Sequence, residues 1–270
     1  MQEINAKYNL KSLLENYRVV IPLIQRDYAQ GRKDKRTTEV RKKLLQDINT
    51  ALIDTNVGPL DLNFIYGKST NGKFIPLDGQ QRLTTLFLVY LFAYRDNDEC
   101  DFLGNFSYET RKSSAKFFES LVENRRIFFT KAKSPSEIIK DEPWFADSWQ
   151  LDPTVQGALK TLDDISDSFD YGFDYLSVLS DSSNQKLVFN FLDIDKLGSE
   201  DELYIKLNSR GRPLTDFENF KARFIDRIKK IDSHLEREFS QNIDTKWTDV
   251  IWNIDKNAFD TNFLNLFEIV

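Results

Sequence analysis

The sequence is short of the residues that many enzymes and secreted domains depend on. It holds one cysteine, Cys100, and one histidine, His234. A lone cysteine excludes an internal disulfide, and a lone histidine excludes a His-rich zinc site, an HExxH protease and any Ser-His pair away from residue 234. Ten glycines and seven prolines in 270 residues exclude collagen-like and low-complexity architecture and favour helices over a many-turned β-sandwich. The longest apolar run, residues 86–94, is far short of the roughly 20 residues a membrane span needs. The start MQEINAKYNL has no basic-then-apolar leader. These absences predict a protein of the reducing cytoplasm with no membrane contact.

What is present is aromatic and charged. Twenty-two Phe, ten Tyr and four Trp can fill a large core, so a globular protein of one large or two ordinary domains is expected rather than a disordered tail. The net charge of -6 argues against indiscriminate coating of nucleic acid, but it is unevenly spread. The first 50 residues carry 11 Lys or Arg against 6 Asp or Glu, concentrated in Arg32, Lys33, Lys35, Arg36, Arg41, Lys42 and Lys43.

Periodicity gives a coarse organisation. Leu10, Leu13, Leu14 and Tyr17 predict a short helix, and Val19-Val20-Ile21-Pro22 a strand, because the residue before proline is pushed out of the α region. Val40, Leu44, Leu45, Ile48 and Leu52 predict a helix over 37–54 with basic residues along its outer face. Segments 60–66 and 73–77 flank Asn71-Gly72, a hairpin signal. The second strand runs into Asp78-Gly79-Gln80-Gln81-Arg82, and residues 83–94 are apolar on nearly every side, as in a helix buried all round.

Residues 96–198 open on an acidic stretch and contain helix-like segments at 108–123 and 153–169 and an apolar run at 187–192. Capping boxes at 199–202 and 215–218 precede helical segments 203–207 and 220–231, with Gly211 and Pro213 breaking between them. The expected organisation is a core over 1–95, a helical elaboration over 96–198, helices returning to the core over 199–231, and the start of a C-terminal helical region over 232–270. The apolar final residues lead us to expect more protein beyond them. The fold class is α+β, a small mixed sheet with a mainly helical subdomain.

Three constellations can carry chemistry. Asp78-Gly79-Gln80-Gln81-Arg82 opens a helix, where backbone amides and the positive dipole end favour anions, glycine permits close approach, and arginine offers a fork for phosphate. Thr84 and Thr85 add hydroxyls, and Asp78 is an acid able to hold a divalent metal or orient water. A plainer reading, in which Asp78 only caps the helix, stands beside this one. Gln25, Arg26 and Tyr28 follow the first strand and can face one site, although a single arginine is more often paired at the surface. Asn208-Ser209-Arg210-Gly211-Arg212-Pro213-Leu214-Thr215 is a polar turn with two arginines, suited to an anion or simply to ending a helix.

Other matches fail. Gly67-Lys68-Ser69 resembles the end of a P-loop, but Leu62 stands where the first glycine is required. Trp144, Trp149, Trp247 and Trp252 fall at unrelated spacings, so core packing is expected of them before base stacking.

Taken together, Ile21-Pro22 through Gln25-Arg26-Asp27-Tyr28, then Asp78-Gly79-Gln80-Gln81-Arg82-Leu83-Thr84-Thr85-Leu86, then Asn208 through Gly211 and Pro213-Leu214-Thr215 resemble the N-terminal domain of GmrSD-type restriction endonucleases, also called domain of unknown function 262. The resemblance implies a nucleoside triphosphate-binding and hydrolysing sensor of bacterial anti-phage defence that governs a DNA nuclease on another domain or subunit. It implies a core similar to that of the ParB and sulfiredoxin group, where a glycine, two residues and an arginine at a helix start hold phosphate, as Gly79-Gln80-Gln81-Arg82 would. On that basis Asp78, Gln81 and Arg82 are the expected catalytic residues. Gln25, Arg26, Tyr28, Gly79, Gln80, Thr84, Thr85, Asn208 and Arg210 would bind nucleotide, GTP by preference, with Mg2+ on Asp78. The basic cluster would meet DNA, possibly modified, and a homo-oligomer is among the expected partners. The alternative is a non-enzymatic DNA-reading module or a docking scaffold for the nuclease.

Two departures from the family pattern matter. Tyr28 is followed by Ala29-Gln30, where members commonly carry a tryptophan two residues on. An HNH nuclease needs histidines for its metal and base, and His234 is alone, so that chemistry is not expected in this chain.

Overall fold

The computed structural model describes residues 7–22, 28, 34–109 and 111–194, together with positions 227, 228, 235, 239 and 242. Strand β1 (Lys7–Tyr8) leads into α1 (Leu10–Asn16), whose start is fixed by a capping box between Asn9 and Ser12, and then into β2 (Arg18–Ile21). Helix α2 (Lys35–Ile53) begins where the Asp34 side chain accepts from the Thr37 amide. Strands β3 (Leu60–Thr70) and β4 (Lys73–Asp78) form the expected antiparallel hairpin. Its turn places Asn71 and Gly72 at φ 51° and 74°, the left-handed pair that this dipeptide supplies at least cost.

Beyond β4 comes α3 (Gln80–Ala93), twelve of whose fourteen residues are buried, as its all-round apolar sequence predicts. Strand β5 (Phe106–Tyr108) follows, then α4 (Lys112–Glu123), the single turn α5 (Arg125–Phe128) and α6 (Pro135–Asp141), started by a Ser134–Glu137 capping box. Helix α7 (Pro153–Ser168) starts at Asp152 with proline in its first position, and α8 (Tyr175–Ser180) precedes β6 (Leu187–Asp193).

The six strands form one mixed sheet in the order β1-β6-β3-β4-β2-β5. β6 lies parallel to β3, and β2 runs parallel to both β4 and β5. Val19, Ile21, Ile65, Phe74, Phe106 and Phe189 join the buried residues of α1, α2, α3, α4 and α7 in one core. Helix α3 runs through it against α1, α7 and α8. The fold is α+β, as expected.

Three details differ from the sequence reading. The helix expected from residue 108 begins at Lys112, because Tyr108 pairs with Ile21 in the sheet. The 187–192 run is a strand, β6, lying between β1 and β3, so the segment expected to be a helical elaboration also contributes β5 and β6 to the sheet. On α2, Val40 points outward at 53% exposure, while Arg41 takes the inward position beside Leu45, Ile48 and Leu52. The chain separates into two compact units, residues 1–198 and 199–270. In the second, the described positions are helical, and the elements expected over 199–231 lie outside the described residues except 227 and 228.

Candidate functional site at the start of the central helix

Asp78 ends β4, in register with Tyr66 of β3, and the chain turns at Gly79 into α3. Gly79 sits at φ 91°, where an L side chain is strained, and a Cβ there would lie 2.7 Å from Cγ1 of Ile65. The glycine therefore lets the helix start press onto β3. The space beside its Cα is filled by Ile65 rather than left open to a ligand. Gly79, not Asp78, occupies the capping position, and no side chain caps the first turn.

Arg82 lies one turn in and reaches back to the sheet. Its guanidinium donates to the carbonyls of Leu62 and Phe64, the latter at 2.8 Å, and to the Asp78 carboxylate at 3.0 Å. Those two carbonyls flank Asn63, which stands at φ 65° where the β3–β6 register slips between Asp61 and Phe64. A slip of this kind turns strand carbonyls away from their ladder partners. The arginine fork supplies donors to both and holds the acid of the same motif beside it. Both charged side chains keep some solvent contact, 23% for Arg82 and 39% for Asp78. The arrangement is a braced Asp–Arg pair at a helix N-terminus.

The neighbouring hydroxyls are bonded within the protein. Thr84 donates to the Gln80 carbonyl and meets the Tyr108 hydroxyl at 2.6 Å; Thr85 donates to the Gln81 carbonyl and meets the Tyr28 hydroxyl at 2.8 Å. Both threonines are fully buried. Tyr28, expected in a nucleotide pocket, is buried too: its hydroxyl lies between Thr85 and Thr161 of α7, and its amide donates to Thr154. Burial pushes its phenol pKa above the ordinary value despite the bonds from Thr161 and Thr85. Tyr28, Thr84 and Thr85 thus link α3, α7 and β5 through their hydroxyls. Gln80 is likewise buried, and Gln81 is half-buried.

The basic cluster divides. Lys35, Arg36, Lys42 and Lys43 are exposed, whereas Arg41 is wholly buried and its Nε donates to Asp164 of α7 at 2.6 Å. Arg41 cannot meet DNA. Burial alone would raise the Asp164 pKa, but the bonds and charges of Lys160 and Arg41 outweigh it and hold the carboxyl below its usual range. Gln25, Arg26, Arg32, Lys33, Asn208 and Arg210 lie outside the described residues.

A model of the GmrSD restriction endonuclease N-terminal domain matches residues 10–225. The chain belongs to this family. No individual curated protein matches it. This GmrSD N-terminal domain is a module of a restriction system, a setting in which a nuclease or DNA partner fits. No helix among its described residues is long and apolar enough to cross a membrane.

Within the GmrSD domain, no group of three His, Cys, Asp or Glu among the described residues is placed to hold a metal ion. At the start of α3 the partly exposed Asp78 carboxylate would be the protein ligand of a Mg2+ ion, with phosphates and water completing its shell, a common mode for this ion. Two features of the domain escaped the sequence reading. Asn63, the left-handed residue that Arg82 straddles, stands in an ordinary strand pattern and gives no signal. Asp193, which accepts from the Ser69 amide and hydroxyl and ties β6 to β3, is one acid among 43 and carries no local signal.

Proposed function

We propose that this domain binds and hydrolyses a nucleoside triphosphate, and by doing so regulates the DNA nuclease of a modification-dependent restriction system. The nuclease lies on another domain or subunit, since a single histidine does not supply HNH chemistry. The observation that carries the reading is the Asp78–Arg82 pair at the start of α3, partly open to solvent.

A helix N-terminus with no side-chain cap favours an anion, and the edge of the Arg82 guanidinium adds positive charge at the same end. Asp78 would hold Mg2+, which when bound neutralises phosphate charge. It would otherwise accept a hydrogen bond from water. Gln81, in the first turn, would orient a water. The family resemblance favours GTP over ATP, and a nuclease partner and a homo-oligomer belong to the same proposal.

The test is phosphate release from each of the four ribonucleoside triphosphates with Mg2+, comparing wild type with Asp78→Asn, with and without DNA. Release that one nucleotide supports and Asp78→Asn abolishes is the expected result. A second reading, in which the chain reads DNA without hydrolysis, draws on the exposed cations of α2. Phosphate release from none of the four nucleotides, with no nucleotide binding by calorimetry, would replace the first reading with that one.

A further inference from the structure

We infer that Arg111 is a second cation of the nucleotide site, aimed by the buried carboxylate of Asp152 so that its guanidinium meets the phosphate chain. The inference rests on the nucleotide reading above and adds to it a residue from a different strand. Strands β4, β2 and β5 are parallel neighbours, so their C-terminal ends leave the sheet at one edge, where parallel strands commonly present ligand sites. Asp78 is the last residue of β4, and Arg111 stands three residues beyond Tyr108, the last of β5. One strand lies between them, which sets β4 and β5 about 10 Å apart. The Tyr108 hydroxyl meets Thr84 in the second turn of α3, so the end of β5 touches the helix that follows Asp78.

A triphosphate brings several negative charges to an edge that already carries Asp78, and phosphoryl transfer relies on cations aimed at the phosphate oxygens. Arg82 divides its donors among Leu62, Phe64 and Asp78. Among the other described arginines of residues 7–194, Arg41 is buried, Arg18 opens β2 at the opposite edge of the sheet, and Arg36 belongs to the first turn of α2. Arg95 and Arg125 bind the carbonyls of Phe92 and Tyr94 at the far end of α3, and Arg126 pairs with Asp98 beyond it. Arg111 alone of this set follows a parallel strand out of the sheet at the Asp78 edge.

Its attachment suits that duty. The guanidinium lies 3.3 Å from Oδ1 of Asp152, with side chains 44% and 2% exposed. The acid is held without it: Ser113 and Ser114 donate their hydroxyls to Oδ2, and the Thr154 amide donates to Oδ1 at 2.9 Å. The Tyr28 amide donates to the Thr154 hydroxyl, so the chain leaving β2, the middle strand, also arrives at this cluster. A pair that served only the fold would hide both partners, as Arg41 and Asp164 do. Here the carboxylate is hidden and supplied with three other donors, while the arginine extends into solvent. Asp152 is thus a positioning residue, and Arg111 is the group that meets phosphate.

The test measures binding of each of the four ribonucleoside triphosphates to the full chain by calorimetry with Mg2+, together with thermal melts. Wild type is compared with Arg111→Ala, Arg111→Lys, Asp152→Asn and the double variant Arg111→Ala with Asp152→Asn. Loss of one charge-assisted contact should weaken the triphosphate that wild type binds about ten- to hundredfold in Arg111→Ala. The melting temperature should stay that of wild type, since three donors remain on Asp152. Lysine keeps the charge without the fork and should recover part of the affinity. Asp152→Asn should weaken binding when Arg111 is present and add nothing when it is absent.

Unchanged affinity in Arg111→Ala, for a triphosphate that wild type binds, would overturn the inference and leave the nucleotide reading standing. A loss that follows a lowered melting temperature and is not relieved by lysine would overturn it too, by assigning Arg111 to the fold. Equal weakening by Asp152→Asn in both backgrounds would overturn the positioning role of the acid. Wild type that binds none of the four nucleotides would overturn the nucleotide reading and this inference with it.

Discussion

Arg41 on α2 and Asp164 on α7 form an ion pair shut off from solvent, with side chains 0% and 5% exposed and 2.6 Å between Nε and Oδ2. Lys160, one turn earlier on α7, binds the other carboxylate oxygen at 2.9 Å. A buried pair of this kind adds little over an apolar contact of the same shape, because both charges give up hydration, but removing one partner strands the other. Arg41→Ala is therefore expected to cost about 3–5 kcal/mol of unfolding free energy, whereas the joint change Arg41→Met with Asp164→Leu should recover most of it. Urea unfolding of the single and double variants checks this. A single-variant loss under about 1 kcal/mol would mean that the pair carries no such burden.

The same pair shows where the sequence is legible and where it is not. Local signals gave α1, α2, the Asn71–Gly72 hairpin, α3 and α7, because capping residues, turn dipeptides and apolar period act over a few positions. Arg41 was read by its charge, although it keeps step with Leu45, Ile48 and Leu52, the spacing of an inward face; the acid that permits this lies 123 residues away. For β5 and β6 too, the deciding partners are distant in the chain, Ile21 and Phe64 among them. The Asp78–Arg82 motif was legible as a helix start. That its arginine would be braced on carbonyls around Asn63 depends on a register slip that no local pattern announces.

Acid should loosen the fold in a defined window. Burial alone would raise the carboxyls of Asp164 and Asp152, but Lys160 and Arg41 at the first, and Ser113, Ser114, Thr154 and Arg111 at the second, hold both below the ordinary range. Groups depressed in the folded state contribute stability above their unfolded pKa, about 3.9 for Asp, and lose it as pH falls through the folded value. Asp163 runs the other way: burial raises it, bonds from Ser136 and the charge of Lys160 offset only part, and the folded state takes up its proton first. Thermal melts between about pH 7 and 3 should show Asp164→Asn less stable than wild type at neutral pH, with the gap closing below about pH 4. Asp163→Asn should be no less stable than wild type at neutral pH. A gap for Asp164→Asn that stays constant with pH would remove the charge from this account.

Tyr28 separates a strut from a ligand contact. With its hydroxyl between Thr85 and Thr161, Tyr28→Phe should cost about 1 kcal/mol, since each threonine keeps a carbonyl partner on its own helix. Nucleotide affinity measured by calorimetry should stay within about twofold of wild type, as expected of a side chain that does not reach the ligand. A tenfold loss of affinity at unchanged melting temperature would restore Tyr28 to the binding site.

Arg82 and Asp78 can be assigned separate duties because their supports differ. The pair they make is partly exposed, and such pairs are worth about 0–1 kcal/mol, so Asp78→Asn should leave the melting temperature nearly unchanged while removing phosphate release. Arg82 also holds the carbonyls of Leu62 and Phe64 across the slip in β3. Lysine keeps the charge but lacks the planar fork that spans two acceptors, so Arg82→Lys should cost about 1–3 kcal/mol through the carbonyl left without a donor. Activity lost in Asp78→Asn with stability kept, and stability lost in Arg82→Lys, would mark the acid as the group that meets substrate and the arginine as the brace that positions it. If Arg82→Lys melts like wild type yet releases no phosphate, the guanidinium acts on the nucleotide directly, and the β3 carbonyls are satisfied without it.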